Sequence, residues 1–334
     1  MLSSGVLQRV LSWIAPPLAL LFLGGSSGAE PLVIRAVPVP LNPRDPAQRT
    51  VGRLRYLGGL HLTSDHPGFG GWSALRLAAD GTRLTAISDE GMWLTARMVH
   101  DKAGFLTGLE GAEIGPLLDL GGKPLEGKDA RDSESCAILP DGAFVVGFER
   151  EHRLWRYPAH DGKPDGIPSP VPSPPGLAGA PFNGGIESLV ALPKGRLFAL
   201  TEYWIQNELI TGWIDGPDAW QPLGYRFERA LRPSDACLMP SGDLVVLERA
   251  YNPDRGIVGA RLRQISKDAL KPRAAPGLSG RLIADIAPPL TMDNFEGIDC
   301  RKGRHATPVF YVISDNNFSA EQRTLLLMYE LSSN

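Results

Sequence analysis

The segment from Glu134 to Glu149, E-S-C-A-I-L-P-D-G-A-F-V-V-G-F-E, decides the fold, because the rest of the chain repeats its plan. An acidic residue opens a short apolar run, a Pro-Asp-Gly turn reverses it, and a second apolar run ends on another carboxylate. Glu187 to Glu202 follows this plan at the same spacing, and Asp235 to Glu248 follows it in a slightly shortened form. Ser73 to Asp89 and Glu296 to Asp315 are looser relatives. Such periodicity indicates a repeat architecture.

Five turn glycines set the length of the repeat. They are Gly81, Gly142, Gly195, Gly242 and Gly303, at successive spacings of 61, 53, 47 and 61 residues. A four-stranded propeller blade needs about 40–50 residues, and loops account for the excess. We therefore predict an all-β fold, a single β-propeller with five clear blades, and a β-sandwich with a helical insert is the weaker alternative. About 80 residues at the two ends leave room for a sixth blade. We expect segment 32–39 to close the ring beside segment 324–331.

The composition is that of an ordinary globular chain. Of 334 residues, 43% are hydrophobic and 21% are charged, which argues against disorder and against a multi-span membrane protein. The formal net charge is -3 and no block of like charges occurs, so we do not expect nucleic acid as a partner. The 38 glycines and 30 prolines suit a chain with many tight turns.

The N-terminal segment has the features of a secretory signal peptide. Arg9 precedes the apolar stretch Val10 to Gly24, and Ser27-Gly28-Ala29 offers small residues at a cleavage site. The stretch is shorter than the ~20 residues that span a bilayer comfortably. We therefore expect residues 1–29 to be removed and residues 30–334 to form one domain that is periplasmic or secreted, without membrane insertion. An uncleaved anchor is the alternative.

Three cysteines, Cys136, Cys237 and Cys300, each stand a few residues after the acidic residue that opens a repeat. An odd number cannot all pair within one chain. Leu189 holds the equivalent place in another repeat, which favours burial of the cysteines as small apolar side chains. A structural disulfide is the less favoured alternative.

Acidic residues recur at two positions of the repeat. Because the first strand of a propeller blade lines the central channel, matching residues of different blades converge there. The first-strand set is Glu134, Glu187, Asp235 and Glu296, and the second-strand set is Asp89, Glu149, Glu202, Glu248 and Asp315. Carboxylates held this close need raised pKa values or a bound cation. For each carboxylate alone, the alternative is a turn cap or an acceptor of backbone N–H groups.

The acidic positions predict a metal site. Oxygen ligands without histidine or cysteine favour a hard divalent cation, Ca²⁺ before Mg²⁺. Asn183, Asn294 and Asn316 add amide oxygens close by in sequence. The predicted metal ligands are Asp89, Glu134, Glu187, Glu296, Asp315, Asn183 and Asn294.

Arginines and a histidine complete the predicted site. Arg150 and Arg249 each follow a repeat-ending glutamate, and Arg323 follows the Asp315 loop. A guanidinium beside a metal ion binds phosphate or carboxylate well, while an Arg–Glu pair that holds the blade is an equal alternative. His61, near a glycine-rich loop, is a candidate general base, although a lone loop histidine is more often merely solvated.

Three segments resemble a known family. They are N-G-G-I-E at 183–187, N-F-E-G-I at 294–298 and I-S-D-N-N-F-S-A-E-Q-R-T-L-L-L at 313–327. They are similar to the phytase-like domain that is described as esterase-like activity of phytase and found in secreted bacterial proteins. The resemblance covers about residues 50–332 of the chain. It implies a propeller fold and a hydrolase of phosphoesters.

Together these observations predict an exported, metal-dependent hydrolase of phosphate or other esters, a monomer that acts on a small molecule. Ca²⁺ at the predicted ligands would activate water, with Glu134, Glu187 and His61 as catalytic residues. Arg323 would stabilise the developing charge. One alternative is a non-catalytic propeller whose acidic mouth binds a cation or a cationic ligand. A second alternative is a sugar-lactonase-like propeller.

Overall fold

The predicted turns and apolar runs fold into five antiparallel sheets around a central channel. The computed structural model describes residues 28–216, 219–228, 230–252, 256–271 and 277–332. The predicted signal peptide, residues 1–29, lies almost wholly outside this part of the chain. Within it, the fold is all-β, and no helix is long and apolar enough to cross a membrane.

The described residues form 23 strands and a few single helical turns. The strands are, in chain order, β1 (Glu30–Pro31), β2 (Arg35–Pro38), β3 (Thr50–Val51), β4 (Leu54–Thr63), β5 (Trp72–Leu77), β6 (Arg83–Ser88), β7 (Met92–His100), β8 (Leu106–Pro116), β9 (Ser133–Ile138), β10 (Phe144–Phe148), β11 (Arg153–Tyr157), β12 (Ser169–Val171), β13 (Ile186–Ala191), β14 (Leu197–Gln206), β15 (Leu209–Asp215), β16 (Trp220–Tyr225), β17 (Leu231–Leu238), β18 (Leu244–Asn252), β19 (Gly256–Ile265), β20 (Arg281–Ile286), β21 (Asn294–Lys302), β22 (Pro308–Asp315) and β23 (Thr324–Leu331). The helical turns are α1 (Lys128–Arg131) and the 3₁₀ turns Leu177–Gly179, Pro193–Gly195, Lys267–Leu270 and Arg304–Ala306.

Each sheet is one propeller blade. In order around the ring, the sheets are β1-β8-β7-β6-β5 (blade 1), β12-β11-β10-β9 (blade 2), β13-β14-β15-β16 (blade 3), β17-β18-β19-β20 (blade 4) and β2-β4-β23-β22-β21 (blade 5). Strands β5, β9, β13, β17 and β21 pack against one another and line the channel. The predicted five-bladed, all-β propeller is confirmed.

The turn glycines that marked the repeat have a physical reason to be glycine. Gly81, Gly142, Gly195 and Gly242 have φ angles of 70°, 86°, 73° and 87°, in the left-handed region. A side chain is strained there, because its Cβ approaches the backbone, whereas glycine adopts these angles freely. Each of these turns connects the first strand of a blade to the second, so glycine spacing reports blade spacing.

The ring is closed by pairing between the two ends of the chain, as predicted, but through a different strand. Strand β4 pairs with β23, for example Leu60 with Leu326. Segment 35–38 forms β2, which pairs with the outer side of β4 and not with β23. The reason is burial, since β4 is largely buried whereas β2 is largely exposed. Segment 32–39 as the direct partner of β23 is therefore wrong.

The terminal residues complete existing blades and form no sixth blade within the described ranges. Strand β1 extends blade 1, and β2, β3 and β4 extend blade 5. This use of the N-terminal segment accounts for most of the residues that the five-blade count leaves over.

Buried clusters of large apolar side chains join neighbouring blades. One joins Trp93 of blade 1 to Phe144 and Tyr157 of blade 2. Another joins Val245 of blade 4 to Phe310 of blade 5. Burial of one such side chain stabilises the fold by about 1.5–3 kcal/mol. The clusters hold adjacent inner strands in place, which fixes the residues that line the channel.

A disulfide joins Cys237 on β17 to Cys300 on β21, with 5.8 Å between the Cα atoms. It links the inner strands of blades 4 and 5. Cys136 is a buried free thiol. Burial of all three cysteines was expected, but the pairing of two of them was the less favoured alternative. The two cysteines meet because the channel-lining strands β17 and β21 pack side by side.

Replacing both Cys237 and Cys300 by serine is expected to lower the free energy of unfolding by about 2–4 kcal/mol, because the bridge closes a loop across 63 positions. Urea unfolding of the oxidised protein and the double variant measures the difference. Reductant should shift the wild-type midpoint and leave the double variant unchanged. A wild-type midpoint that is insensitive to reductant contradicts the pairing.

Candidate functional site

One extra residue interrupts the channel-lining strand of each blade. The pairing register skips that residue, and such a β-bulge turns its side chain in a new direction. The five bulge residues are Ser73, Glu134, Glu187, Ser234 and Glu296. The structure therefore places Glu134, Glu187 and Glu296 at equivalent positions around one mouth of the channel. We call this end the acidic mouth.

Asp235 does not belong to the bulge set. It follows the bulge residue Ser234 and pairs with Leu247. Its fully buried carboxylate accepts two hydrogen bonds from Arg76, Nη1 to Oδ2 at 2.7 Å and Nη2 to Oδ1 at 2.8 Å. The predicted place of Asp235 in the first-strand ring is wrong, because its repeat has one residue fewer between the acidic residue and the turn proline, Pro240.

A second tier of side chains comes from the second strand of each blade. Each member lies opposite the residue that stands two positions before a bulge residue. In blades 1 to 3 its backbone N–H donates to the carbonyl of that residue, from Asp89, Glu149 and Glu202. In blade 5, Asp315 pairs with Asn294, which stands two positions before Glu296. The tier is Asp89, Glu149, Glu202, Arg249 and Asp315.

Blade 4 places Arg249 in the second tier, where the sequence predicted Glu248. Arg249 pairs with Arg232, two residues before the bulge, whereas Glu248 pairs with Pro233. The buried Glu248 instead accepts hydrogen bonds from the hydroxyl of Tyr225 and from Nε of Arg263, each at 2.8 Å. The predicted place of Glu248 in the second-strand set is therefore wrong, and the shortened repeat is again the reason.

On one side of the mouth, Asp89, Asp132 and Glu134 bring carboxylate oxygens within 4.8 Å of one another, a geometry that can hold a metal ion. Lys128 of α1 already pairs with two of them. Its Nζ lies 2.7 Å from Asp89 Oδ2 and 2.6 Å from Asp132 Oδ1. Arg150 Nε adds a contact of 2.6 Å to Asp132 Oδ2. Cations of the chain thus neutralise much of this side.

On the other side of the mouth, Arg249 joins three acceptors. Its Nη1 donates to Asn294 Oδ1 at 2.7 Å and also to Glu296. Its Nη2 donates to Glu202 Oε1 at 2.6 Å. Glu202 and Glu296 come from blades 3 and 5, so the guanidinium bridges the blades on either side of its own.

Glu187 lies between these two groups and is left without a cation. Its side chain is buried, with 7% of the residue exposed. Its carboxylate makes no hydrogen bond or ion pair with any residue in the described ranges. Glu134, Glu149 and Asp315 also lack an ion-pair partner among those residues. Four carboxylates of the mouth therefore have no ion pair with Lys128 or Arg249.

The electrostatics of the mouth follow from burial first and from the other carboxylates second. Burial, with Glu134 and Glu202 nearby, raises the pKa of Glu187 well above its usual range. Burial raises the pKa of Glu296 to about 8, although Arg249 opposes the shift. Burial likewise raises the pKa of Glu149 to about 7 and that of Asp315 to about 6. At neutral pH the mouth therefore needs either protons or a further cation.

The carboxylates of the acidic mouth are donors of the type that a divalent cation binds. Burial of an unpaired carboxylate is costly, and a metal ion is one of the few partners that removes the cost. The ligands available are carboxylate oxygens, without histidine or cysteine, which suits a hard divalent cation. Among the described residues, the three whose carboxylate oxygens lie close enough to one another to hold an ion are Asp89, Asp132 and Glu134, and of these Glu134 has no ion pair with Lys128 or Arg249. Glu187 adds an unpaired carboxylate whose charge interacts with that of Glu134.

Three predicted site residues lie apart from the two tiers. Arg323 donates to Asp293 Oδ2 at 3.2 Å and to the carbonyl of Met292 at 2.9 Å. His61 is on β4, with β22 and β23 between it and the channel-lining strand, and its pKa is lowered by burial and by Arg323. Asn183 is exposed in the loop before β13. Asn294, in contrast, is buried in the mouth beside Arg249.

Two residues of the mouth were absent from the sequence prediction. Asp132 stands two residues before Glu134, so the spacing D-x-E could have revealed it. Lys128 lies in the loop between blades 1 and 2, where no repeat pattern exists, and only the fold of α1 brings it to the carboxylates.

A five-bladed propeller with a carboxylate-rich mouth is the class of protein that the fold and the site define. A family model described as "Phytase-like: Esterase-like activity of phytase" matches residues 67–318, about three quarters of the chain. The chain belongs to this phytase-like family. No curated protein matches the sequence.

Solved structures with a similar course of the chain are distant in sequence. A putative gluconolactonase has 12% identity, with 84% of this chain and 94% of that chain covered, at a TM-score of 0.39. Virginiamycin B lyase from Staphylococcus aureus has 12% identity, with 84% and 88% covered, at a TM-score of 0.38. An endo-arabinase from Bacteroides thetaiotaomicron has 10% identity, with 80% and 96% covered, at a TM-score of 0.45.

Proposed function

We propose that the protein is a divalent-cation-dependent hydrolase of small-molecule esters, phosphate esters included, with its active site at the acidic mouth. One observation carries this proposal: Glu187 is buried among four other carboxylates and has no cationic partner in the described part of the chain. A site that keeps such a group is built for a cation that comes from solution. The ester label rests on the family, whose description names esterase-like activity.

In this proposal, different residues of the mouth bind the cation and accept the proton. A divalent cation, most simply Ca²⁺, supplies Lewis-acid polarisation of the ester when it is bound. Glu134, from the cluster with Asp89 and Asp132, would hold it together with the unpaired Glu187. Glu134 is only partly buried, so its carboxylate is also the one that can accept a proton from an incoming water molecule.

Lys128 and Arg249 pair with carboxylates of the mouth, and to these two side chains we assign the binding of the negatively charged part of the substrate. Sequence reasoning gave this role to Arg323, which pairs with Asp293 beside the mouth. Arg323 and His61 remain candidates for contacts with the far end of a larger substrate, because they lie together at the edge of blade 5.

We also propose export to the periplasm or the medium. A disulfide between Cys237 and Cys300 supports this proposal, because such bonds persist in oxidising compartments. Residues 1–29, with their signal-peptide pattern, lie almost wholly outside the described part of the chain. We expect the mature protein to be a monomer.

The pairing of Lys128 and Arg249 with the mouth carboxylates favours one other candidate. A site whose carboxylates are already engaged could bind a cation without performing chemistry. A lactonase-like reaction at the same cation is the third possibility that the test should separate.

The test uses the purified mature chain, stripped with EDTA and then supplied with Ca²⁺ or Mg²⁺. The substrates are 4-nitrophenyl phosphate, 4-nitrophenyl acetate and a δ-lactone. We expect hydrolysis of at least one ester that disappears with EDTA and returns with Ca²⁺. Tight Ca²⁺ binding without turnover of any of the three contradicts the enzyme proposal and supports a binding propeller. Turnover of the lactone alone selects the lactonase-like reaction.

A further inference from the structure

The channel has a second opening at the end opposite the acidic mouth. A cavity of about 540 Å³ lies there, a volume within the range of small-molecule sites. It is formed where the first strands of all five blades end, at Leu77, Ile138, Ala191, Leu238 and Arg301. Proline, leucine and alanine of the adjoining turns extend its walls, so the lining is predominantly apolar. We call it the lower cavity.

The lower cavity is separated from the acidic mouth by one buried arginine. Arg76 extends from β5 of blade 1 across the channel to Asp235 of blade 4. It also donates to the carbonyl of Leu189 in blade 3 at 2.8 Å and to that of Ile298 in blade 5 at 3.0 Å. The guanidinium therefore ties four blades together and closes the channel. A molecule in the lower cavity does not reach the carboxylates of the mouth.

Two arginines line the lower cavity, and they differ in what they contact. Arg301 is fully engaged, since it pairs with Asp299 and donates to the carbonyls of Ala78 and Cys300. Arg83 is only partly buried, and its guanidinium makes no hydrogen bond or ion pair with a residue that the structure describes.

Hydrogen bonds from Thr82 lower the pKa of Asp80, and Arg83 lies near enough for its charge to add to this effect, but the side chains of Asp80 and Arg83 form no ion pair. The carboxylate of Asp80 instead accepts hydrogen bonds from Thr82, from the N–H at 3.0 Å and from the hydroxyl at 2.9 Å. The lower cavity thus combines apolar walls with one free positive charge at its rim.

We propose that the lower cavity is a second binding site, for an amphiphilic monoanion such as a medium-chain fatty acid. The apolar chain fills the space between the strand ends, where each buried methylene contributes by leaving water. The carboxylate meets Arg83 at the rim, where a bidentate guanidinium contact is available. A single free cation suits a single negative charge. The site is independent of the proposed hydrolase activity.

Calorimetric titration of the EDTA-treated mature chain with octanoate, decanoate and decanol tests the proposal. We expect affinity to rise roughly threefold to fourfold for each methylene from octanoate to decanoate. Arg83→Gln should weaken decanoate about tenfold and leave decanol unchanged. Arg35→Gln, at an exposed arginine on β2, is the matched control and should change neither.

Ala191→Phe, which fills the cavity from β13, should abolish the binding of both ligands. Circular dichroism checks that this variant is folded, and the Arg83→Gln comparison alone decides the matter if it is not. Absence of decanoate binding below millimolar concentration overturns the proposal. If Arg83→Gln and Arg35→Gln weaken the binding of decanoate equally, the proposal is also overturned, because the carboxylate of decanoate would then not bind Arg83.

Discussion

Glu187→Gln is expected to weaken Ca²⁺ binding on the order of a hundredfold, because it removes the carboxylate that lies at the centre of the acidic mouth without a partner of its own. The same substitution should raise the unfolding midpoint of the protein in EDTA. A neutral amide replaces a buried group that four other carboxylates repel. One change thus lowers cation affinity and stabilises the cation-free protein.

The stability of the cation-free protein should depend on pH, because carboxyl groups of the mouth have raised pKa values. Glu296 and Glu149 have pKa values of about 8 and about 7 in the folded protein, against an ordinary value of 4.5. Between pH 4.5 and 8 the folded state therefore holds protons that the unfolded state has lost. The free energy of unfolding must then fall as pH rises through this window. Ca²⁺ should flatten the fall, since it replaces the protons.

Thermal unfolding of wild type and Glu187→Gln, with EDTA or with Ca²⁺ at pH 5.5 and 8.5, measures both effects. Ca²⁺ should stabilise the wild type most at pH 8.5 and should have little effect on the variant. Glu248→Gln is the matched control, because Glu248 is also a buried glutamate but binds Tyr225 and Arg263 outside the mouth. It should lose stability and keep its Ca²⁺ affinity. If both variants lose Ca²⁺ affinity alike, the assignment of Glu187 is wrong.

The propeller was predictable because its signature is periodic and local. Glycine is favoured at the left-handed turns between the first two strands of blades 1 to 4, so the spacing of these glycines located four of the five blades. The strand that closes the ring was not predictable in the same way. Both β2 and β4 are extended segments near the N-terminus, and the choice between them depends on which is buried on both faces in the finished fold.

The acidic mouth was predictable in part, and the error has a definite source. Counting from the opening acidic residue aligned Asp235 with Glu187. Counting back eight residues from the turn glycine gives Ser73, Glu134, Glu187 and Ser234, which are the bulge residues of four blades. The turn is the fixed point of each blade, since its backbone angles constrain it. The loop before the first strand varies in length between blades.

The same count explains the second tier. Seven residues after the turn glycine stand Glu149, Glu202 and Arg249. Arg249 therefore takes a carboxylate's position, which the sequence contained but an alignment on acidic residues concealed. Lys128 stands at no fixed distance from a turn glycine, because it comes from the loop between two blades, and the repeat therefore does not predict it. Its partners, Asp89 and Asp132, are brought to it only by the tertiary fold.

Arg76→Met is expected to lower the free energy of unfolding by about 3–5 kcal/mol, which is the usual cost when one partner of a buried ion pair is removed. Asp235 would then be a buried carboxylate with only the N–H groups of Ile298 and Ala236 as donors. Burial already raises the pKa of Asp235 to about 6 although Arg76 opposes the shift. Without the guanidinium, the charged form loses its main support.

The double variant Arg76→Met with Asp235→Asn separates this cost from a simple loss of packing. The asparagine side chain leaves no unpaired charge in the core and can still accept a backbone hydrogen bond. At least half of the lost stability should therefore return. Arg97→Met is the control, because Arg97 and Glu110 form an exposed pair whose removal should cost less than about 1 kcal/mol. Urea unfolding midpoints measure all four proteins. If Asp235→Asn restores none of the stability that Arg76→Met removes, the arginine stabilises the fold by filling the channel and not by neutralising Asp235. Blades 1 and 4 are then held together by packing across the channel instead of by charge.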